Sequence, residues 1–163
     1  MDTLIVYTAK YAFVISLVIA ACVWLRLPSR QKTELLAWGV LGGALAYILV
    51  KAAGALFYDT RPFVTDHTAP LFAHPADNGF PSDHATLAAT VALLVMTYRR
   101  WLGVVLLAAS VSVGVARVAA HVHHGQDIVA GVVIAVVAVG VTTAAWAWVR
   151  PRLPGRLAEL ASG

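Results

Sequence analysis

Residues 126–149 read QDIVAGVVIAVVAVGVTTAAWAWV, and from Ile128 to Val149 the run holds no charged side chain. A hydrocarbon core about 30 Å thick is crossed by roughly 20 apolar residues in a helix, so this stretch is long enough to span a bilayer. Working outward with the same criterion gives four more runs, at about 4–27, 34–57, 82–98 and 101–120. Pro28, Gln31-Lys32-Thr33-Glu34, Arg99-Arg100 and Arg150-Pro151 punctuate their ends. The expectation is an all-α, polytopic membrane helix bundle of about five transmembrane helices, forming one domain over 1–163.

Composition agrees. Of the 163 residues, 60% are hydrophobic and 12% charged, and the mean hydropathy is +0.79. A water-soluble domain carries about a quarter of its residues as charges, so this surface is solvated by lipid. Twelve glycines, seven prolines and one cysteine exclude collagen-like and disulfide-stapled chains. The net charge of +4 does not indicate a nucleic-acid partner, because most basic residues sit at the ends of apolar runs. Arg26, Arg30, Lys32, Arg99, Arg100, Arg150, Arg152 and Arg156 all fall on one face, which the preference of basic residues for the cytoplasm makes the inner one. The chain is therefore expected N-out and C-in, integral to the plasma (inner) membrane. Trp24, Trp38, Tyr58, Tyr98, Trp101, Trp146 and Trp148 lie near run ends, as interfacial aromatics do. Ile19-Ala20-Ala21-Cys22 has the small-residue pattern of a lipidated cysteine, but the apolar Val23-Trp24-Leu25 that follows favours an ordinary helix residue. Gly42-Gly43-Ala44 and Gly131 read as helix-packing positions.

The polar residues gather on the outward side. Ionisable groups at membrane depth are costly unless paired or functional, which marks this cluster as the site. In Arg117-Val-Ala-Ala-His-Val-His123-His-Gly-Gln-Asp127, a helix starting near His123 or His124 puts His123 and Asp127 on one face. The carboxylate can then hold the imidazole Nδ1–H and leave Nε2 free as nucleophile or base, while Arg117 offers a guanidinium fork to a phosphate. Pro81-Ser82-Asp83-His84 suits a helix start, where free N–H groups favour an anion. Lys51 and Arg61-Pro62 bring two further cations.

Together these residues resemble the membrane-bound type 2 phosphatidic acid phosphatase superfamily, whose pattern joins a Lys…Arg-Pro element, a Pro-Ser-x-His element and an Arg-x5-His-x3-Asp element. All three occur in that order over about 45–130, as Lys51…Arg61-Pro62, Pro81-Ser82-Asp83-His84 and Arg117…His123…Asp127. The Lys-to-Arg gap is longer than the family's usual one, Asp83 replaces a glycine, Ala116 stands where a serine is common, and the family's first helix has no counterpart. The Pro-Ser-Asp-His variant resembles the undecaprenyl-diphosphatase branch, which acts in cell-wall synthesis.

The resemblance implies catalysis by His123, His84 and Asp127, through a phosphohistidine on His123 with His84 as acid and then base. It implies phosphate binding by Lys51, Arg61, Ser82, Asp83 and Arg117, with no cofactor and no metal. Asp83 can cap the helix, tune His84 or contact the leaving group. His121, His123 and His124 with Asp127 could be mistaken for a metal cluster, but the adjacent histidines project differently, His121–His123 lacks the four-residue helical spacing of common zinc motifs, and the nearby arginines repel a divalent ion. His121 and His124 are expected to line the pocket, and His67 and His74 to face water. The expected partners are a polyprenyl or other lipid phosphate, a phosphatidate or phosphatidylglycerophosphate among the alternatives, and membrane lipids; a transporter or non-catalytic scaffold remains the contrasting class. Pro70, Pro75 and Asp77-Asn78-Gly79 forbid a long regular element in 58–81, leaving room for a short interfacial helix or lid.

Overall fold

The computed structural model describes residues 1–149 and Arg152. Its helices are α1 (Asp2–Leu25), α2 (Ser29–Leu56), the single turn α3 (Pro62–Thr65), α4 (Asp83–Tyr98), α5 (Arg100–Ala119) and α6 (Gly125–Val149). Among the described residues there is no strand, only an isolated antiparallel bridge between Thr60 and Asn78. Arg150 and Arg156, counted among the inner basic residues, lie outside the described residues.

The five long helices stand where the apolar runs predict them, and the one large departure is the start of α2 at Ser29 rather than near residue 34. Pro28 takes the N-cap position with φ −57° and ψ 151°, where its missing N–H costs nothing. The polar first turns are supported from within, since Arg30 Nε meets Glu34 Oε1 at 3.2 Å one turn on. Counting apolar residues alone therefore begins the helix too late.

Four helices, α1, α2, α5 and α6, are long and apolar enough to cross a membrane, at 24, 28, 20 and 25 residues. The fifth, α4, has 16 residues, about 24 Å at roughly 1.5 Å per residue, which falls short of a ~30 Å core. Its position explains how a short helix persists, because it packs against α1, α2, α5 and α6. Small residues make this possible: Ala85, Ala88, Ala89 and Ala92 are at most 1% exposed. A Cβ on Gly131 of α6 would stand 2.8 Å from Thr86 Oγ1 and 3.0 Å from the Ser82 carbonyl, and one on Gly103 of α5 would overlap Met96.

Gly131 is thus a close-approach position, as its sequence context suggested, and Gly42 packs against Thr142 and Leu94. Gly43 is not one, since a Cβ there would meet nothing within 4 Å.

Outward-facing apolar residues such as Leu4, Ile15, Val18, Leu36, Val40, Ile48, Val104 and Val133 cover the bundle. Water does not tolerate so continuous an apolar surface, whereas lipid does, and the chain is a multi-pass membrane protein. The apolar core around Val23, Leu35, Val95 and Leu106 sits at the end where α1 meets α2 and α4 meets α5. The opposite end, formed by the C-termini of α2 and α5 and the N-termini of α4 and α6, carries the polar cluster.

Candidate active site

The wall of the site is the segment between α2 and α4, and Asn78 pins it. Its Nδ2 donates to the Gly54 and Phe57 carbonyls at 2.9 Å each, satisfying acceptors that the end of α2 leaves open. Its Oδ1 accepts the Asp59 and Phe80 backbone N–H groups, also at 2.9 Å. The approach is close enough that a Cβ on Gly54 would reach 3.0 Å from the Phe80 carbonyl. Leu71 N–H donates to the Ala120 carbonyl at 3.2 Å, fastening the middle of the segment to the end of α5. The only helix within it is the turn α3.

These contacts enclose a cavity of about 360 Å³ lined by Lys51, Arg61, His74, Asp77, Asn78, Asp83, His84, Arg117 and His123, among others. Six of the eight site residues singled out in the sequence therefore meet in one space. The other two stand behind it. Asp127 is 0% exposed and reaches the cavity only through His123, and Ser82 is 0% exposed, its Oγ accepting the Ala85 N–H as the N-cap of α4. The Ser82 N–H donates to the Asp127 carbonyl at 3.1 Å, which ties the first turns of α4 and α6 together.

His123 Nδ1 lies 3.1 Å from Asp127 Oδ2, and the backbone N–H of His124 donates to the same oxygen at 2.9 Å. The pairing arises differently from the expected one. The helix starts at Gly125, so His123 belongs to the preceding loop and its ring is steered by the carboxylate rather than by a shared helix face. On the other side of the ring, Nε2 lies 3.4 Å from Arg61 Nη1. A carboxylate only accepts and a guanidinium only donates, so the ring carries its proton on Nδ1 and a lone pair on Nε2. Burial pushes the His123 ring below the ordinary imidazole range, Arg117 and Arg61 push it the same way, and the Asp127 hydrogen bond opposes them without reversing the shift.

Two buried guanidinium groups frame the ring. Arg61 is held by Asp77 Oδ1 at 2.8 Å, the Val122 carbonyl at 2.6 Å and the Asn78 carbonyl at 3.3 Å. Although burial raises the Asp77 carboxyl, its bond to Arg61 and that cation's charge leave it below the usual carboxylate range. Arg117, 2% exposed, donates to the Ala9 carbonyl at 3.2 Å and to His74 Nε2 at 3.1 Å, and its buried Nε has no partner among the described residues. Two of its five N–H donors are thus committed, and the fork keeps hydrogen-bonding capacity for a ligand. Lys51 is exposed on the rim, its Nζ 5.3 Å from the Tyr47 ring. His84, on the first turn of α4, rests edge-on against Phe13 at 5.1 Å.

The loop histidines depart from expectation. His74 is half-buried and lines the cavity instead of facing water. It accepts from Arg117 on Nε2 and so carries its proton on Nδ1, beside the Pro75 carbonyl at 3.2 Å. Burial, followed by the neighbouring cations, lowers its basicity even though the Pro75 carbonyl favours the charged ring. His121 and His124 are absent from the lining. His124 Nδ1 instead meets Asp59 Oδ2 at 2.8 Å, and Gln126 Nε2 donates to the same oxygen at 2.8 Å. Burial raises the Asp59 carboxyl, but these two partners outweigh it and the net shift is downward. His67 is exposed, as expected. Asp59, Asp77 and Asn78 were not singled out as site residues, and only Asp77-Asn78 carried a signal, that of a turn.

Donor atoms of Asp59, His124 and Asp127 lie within 4.8 Å of one another, the described residues that come nearest to a metal-ligand set. Asp59 Oδ2, His124 Nδ1 and Asp127 Oδ2 already have hydrogen-bond partners, Asp127 Oδ1 is buried without one among the described residues, and the Arg61 cation stands against His123, the ring that Asp127 holds.

Comparison with known proteins identifies the family. The chain is 26% identical over 137 residues to the undecaprenyl-diphosphatase BcrC of Bacillus subtilis (strain 168), covering 84% of this chain and 70% of that protein. It is also 26% identical over 155 residues to the bacitracin transport permease protein BcrC of Bacillus licheniformis, covering 94% and 73%. The crystal structure of Aquifex aeolicus LpxE superposes with a TM-score of 0.72 at 19% identity, over 87% of this chain and 84% of that one, which establishes a common fold. Residues 35–151 match the PAP2 superfamily. With that match running from within α2 through α6 and taking in the residues that line the cavity, the chain belongs to the PAP2 superfamily of phosphatases.

Proposed function

We propose that this protein, a single phosphatase domain over 1–163, removes the terminal phosphate of undecaprenyl diphosphate, returning the carrier lipid to cell-wall peptidoglycan synthesis. The observation that carries the reading is the His123 ring, protonated on Nδ1 against Asp127 and presenting Nε2 to a cavity framed by two arginines.

Nε2 attacks the terminal phosphorus, the bond to the bridging oxygen breaks, and His84 delivers a proton to the departing undecaprenyl phosphate. His84 then takes a proton from water as that water attacks the phosphohistidine, which releases orthophosphate and restores the ring. Arg61, Arg117 and Lys51 meet the charge that spreads over the phosphoryl oxygens. Asp127 compensates the ring while it is substituted. Ser82 acts by capping α4 and aiming its first-turn N–H groups, and Asp83 stands at the rim where the leaving group departs. The step uses no metal and no cofactor.

In this reading the bundle crosses the plasma membrane five times, N-out and C-in, with α4 crossing inside a collar of longer helices and the cavity opening outside the cytoplasm. The basic connections at Arg26–Lys32 and Arg99-Arg100, at the end remote from the cavity, support that orientation.

The test is phosphate release by the purified, detergent-solubilised protein in EDTA, offered undecaprenyl diphosphate, phosphatidate and phosphatidylglycerophosphate, with His123→Ala as control. Release chiefly from the diphosphate, lost in the variant, is the expected result. Preference for a glycerolipid would move the biology to phospholipid synthesis with the chemistry unchanged. Release that requires added divalent ion would overturn the metal-free step, and no release from folded protein would leave a transporter or scaffold.

A further inference from the structure

A second cavity, of about 280 Å³, adjoins the first and shares Val50 and Asp83 with it. It runs between α2 and α4, where Gly43, Ala46 and Val50 face Thr86, Leu87 and Thr90. Both sets follow the three-and-four spacing of one helix face, so the groove lies along the helices rather than across them. From Asp83 to Thr90 it extends about 10 Å at roughly 1.5 Å per residue, leading away from the cationic cavity along a side of the bundle where Tyr47 and Leu87 are exposed.

The groove is apolar by construction. The Thr86 hydroxyl donates to the Ser82 carbonyl at 2.9 Å and the Thr90 hydroxyl to the Thr86 carbonyl at 2.8 Å, so both are committed to their own helix. Gly42 and Gly131 on α6 are small because another helix presses on them, whereas a Cβ on Gly43, which lines the groove, would meet nothing within 4 Å. A larger side chain at Gly43 would therefore enter the groove without displacing a helix.

We infer that this groove is the subsite for the hydrocarbon chain of the substrate, seating the first isoprenoid units between α2 and α4 while the diphosphate occupies the adjoining cationic cavity. The inference rests on the phosphatase reading. It commits to the substrate's own chain because Val50 and Asp83 line both the groove and the headgroup cavity. A bulk lipid chain lying in the groove without relation to catalysis is the alternative that the test separates.

The experiment compares kcat/KM for undecaprenyl diphosphate and for isopentenyl diphosphate, whose five carbons stop short of Gly43, in detergent. Gly43→Leu should lower the long-to-short ratio at least tenfold, and Leu87→Trp, from the facing wall, should move it the same way. Gly39→Leu is the matched control: it lies one turn away on α2, also meets nothing within 4 Å, and is not part of this groove. Its ratio should stay within about twofold of the native value. A ratio unchanged in both groove variants, or changed as much in the control, overturns the chain subsite and leaves the groove to bulk lipid. If the unsubstituted protein hydrolyses neither diphosphate, the phosphatase reading itself fails and the subsite with it.

Discussion

Nε2 of His123 lies 3.4 Å from Nη1 of Arg61 while the opposite nitrogen of the same ring lies 3.1 Å from Asp127 Oδ2. A ring held between an acceptor and a donor has its tautomer chosen before any substrate arrives, and the nitrogen left with a lone pair is the one on the cavity side. In the proposed mechanism the attacking ring is oriented by the same cation that would bind the phosphoryl oxygens.

Replacing that ring should abolish turnover. His123→Ala is expected to lower kcat by about 10⁴-fold or more, since residues acting with a nucleophile cannot compensate for its loss. His84→Ala should cost roughly 10²–10⁴-fold, the range for general acid–base groups. Rapid quench with substrate labelled on the terminal phosphate should trap an acid-labile, base-stable protein phosphate in the native chain and none in His123→Ala.

Asp127→Asn isolates the tautomer. An amide facing Nδ1 can present its own N–H and so place the ring proton on Nε2, and the comparable change in a serine protease costs about 10⁴-fold. The pH profile carries a second signature. His123 must be neutral to attack, so kcat/KM falls as pH drops through its pKa, and because burial lowers that pKa the acid limb should lie below the ordinary imidazole value of about 6.5. Asp127 is the neighbour that favours the charged ring, so Asp127→Asn should move the limb to still lower pH. A limb that rises instead would contradict the assigned proton positions.

His74→Ala removes the acceptor that steadies Arg117 Nη2 at 3.1 Å. A hydrogen bond to a charged group contributes about 1.5–3 kcal/mol, and with His74 only half-buried the lower end applies, so kcat/KM should fall roughly tenfold, mainly through KM. His74→Gln, which restores an acceptor, should recover part of the loss. An effect confined to kcat would place His74 in the proton transfers instead.

Gly131→Val tests the α4–α6 contact. Its Cβ would press on Thr86 Oγ1 and the Ser82 carbonyl, and backbone cannot yield as a side-chain end does. A loss of about 1–3 kcal/mol is expected, visible as a lower Tm in detergent, and activity should fall with it because the Ser82 turn aims the first residues of α4. Gly43→Val, with open space around it, should leave Tm close to native.

Helix positions and the three polar elements were legible because each depends on local spacing: an apolar run, a proline before a cap, a histidine four residues from an aspartate. What escaped depends on chain segments far apart in sequence. His74 enters the site because Leu71 is fastened to Ala120, and no periodicity in 58–81 announces that bond. Asp59 and His124 meet across 65 residues. Ser82 was legible as a cap, but its complete burial behind the cavity follows from the close approach of Gly131. The difference between Gly42 and Gly43 is likewise tertiary, since both are glycines on one helix and only the neighbours of the first distinguish them.

The fastening of the segment between α2 and α4 also decides where this chain can change length. Asn78 holds its far end to α2 and Leu71 holds its middle to α5, whereas 66–69 is exposed. Extra residues inserted at 66–69 would bulge into water and leave both fastenings and the cavity wall in register. The same number inserted between His74 and Asn78 would draw His74 away from Arg117 and Asp77 away from Arg61. Added length in this segment is therefore compatible with the cavity wall on the α3 side of Leu71 and disruptive beyond His74.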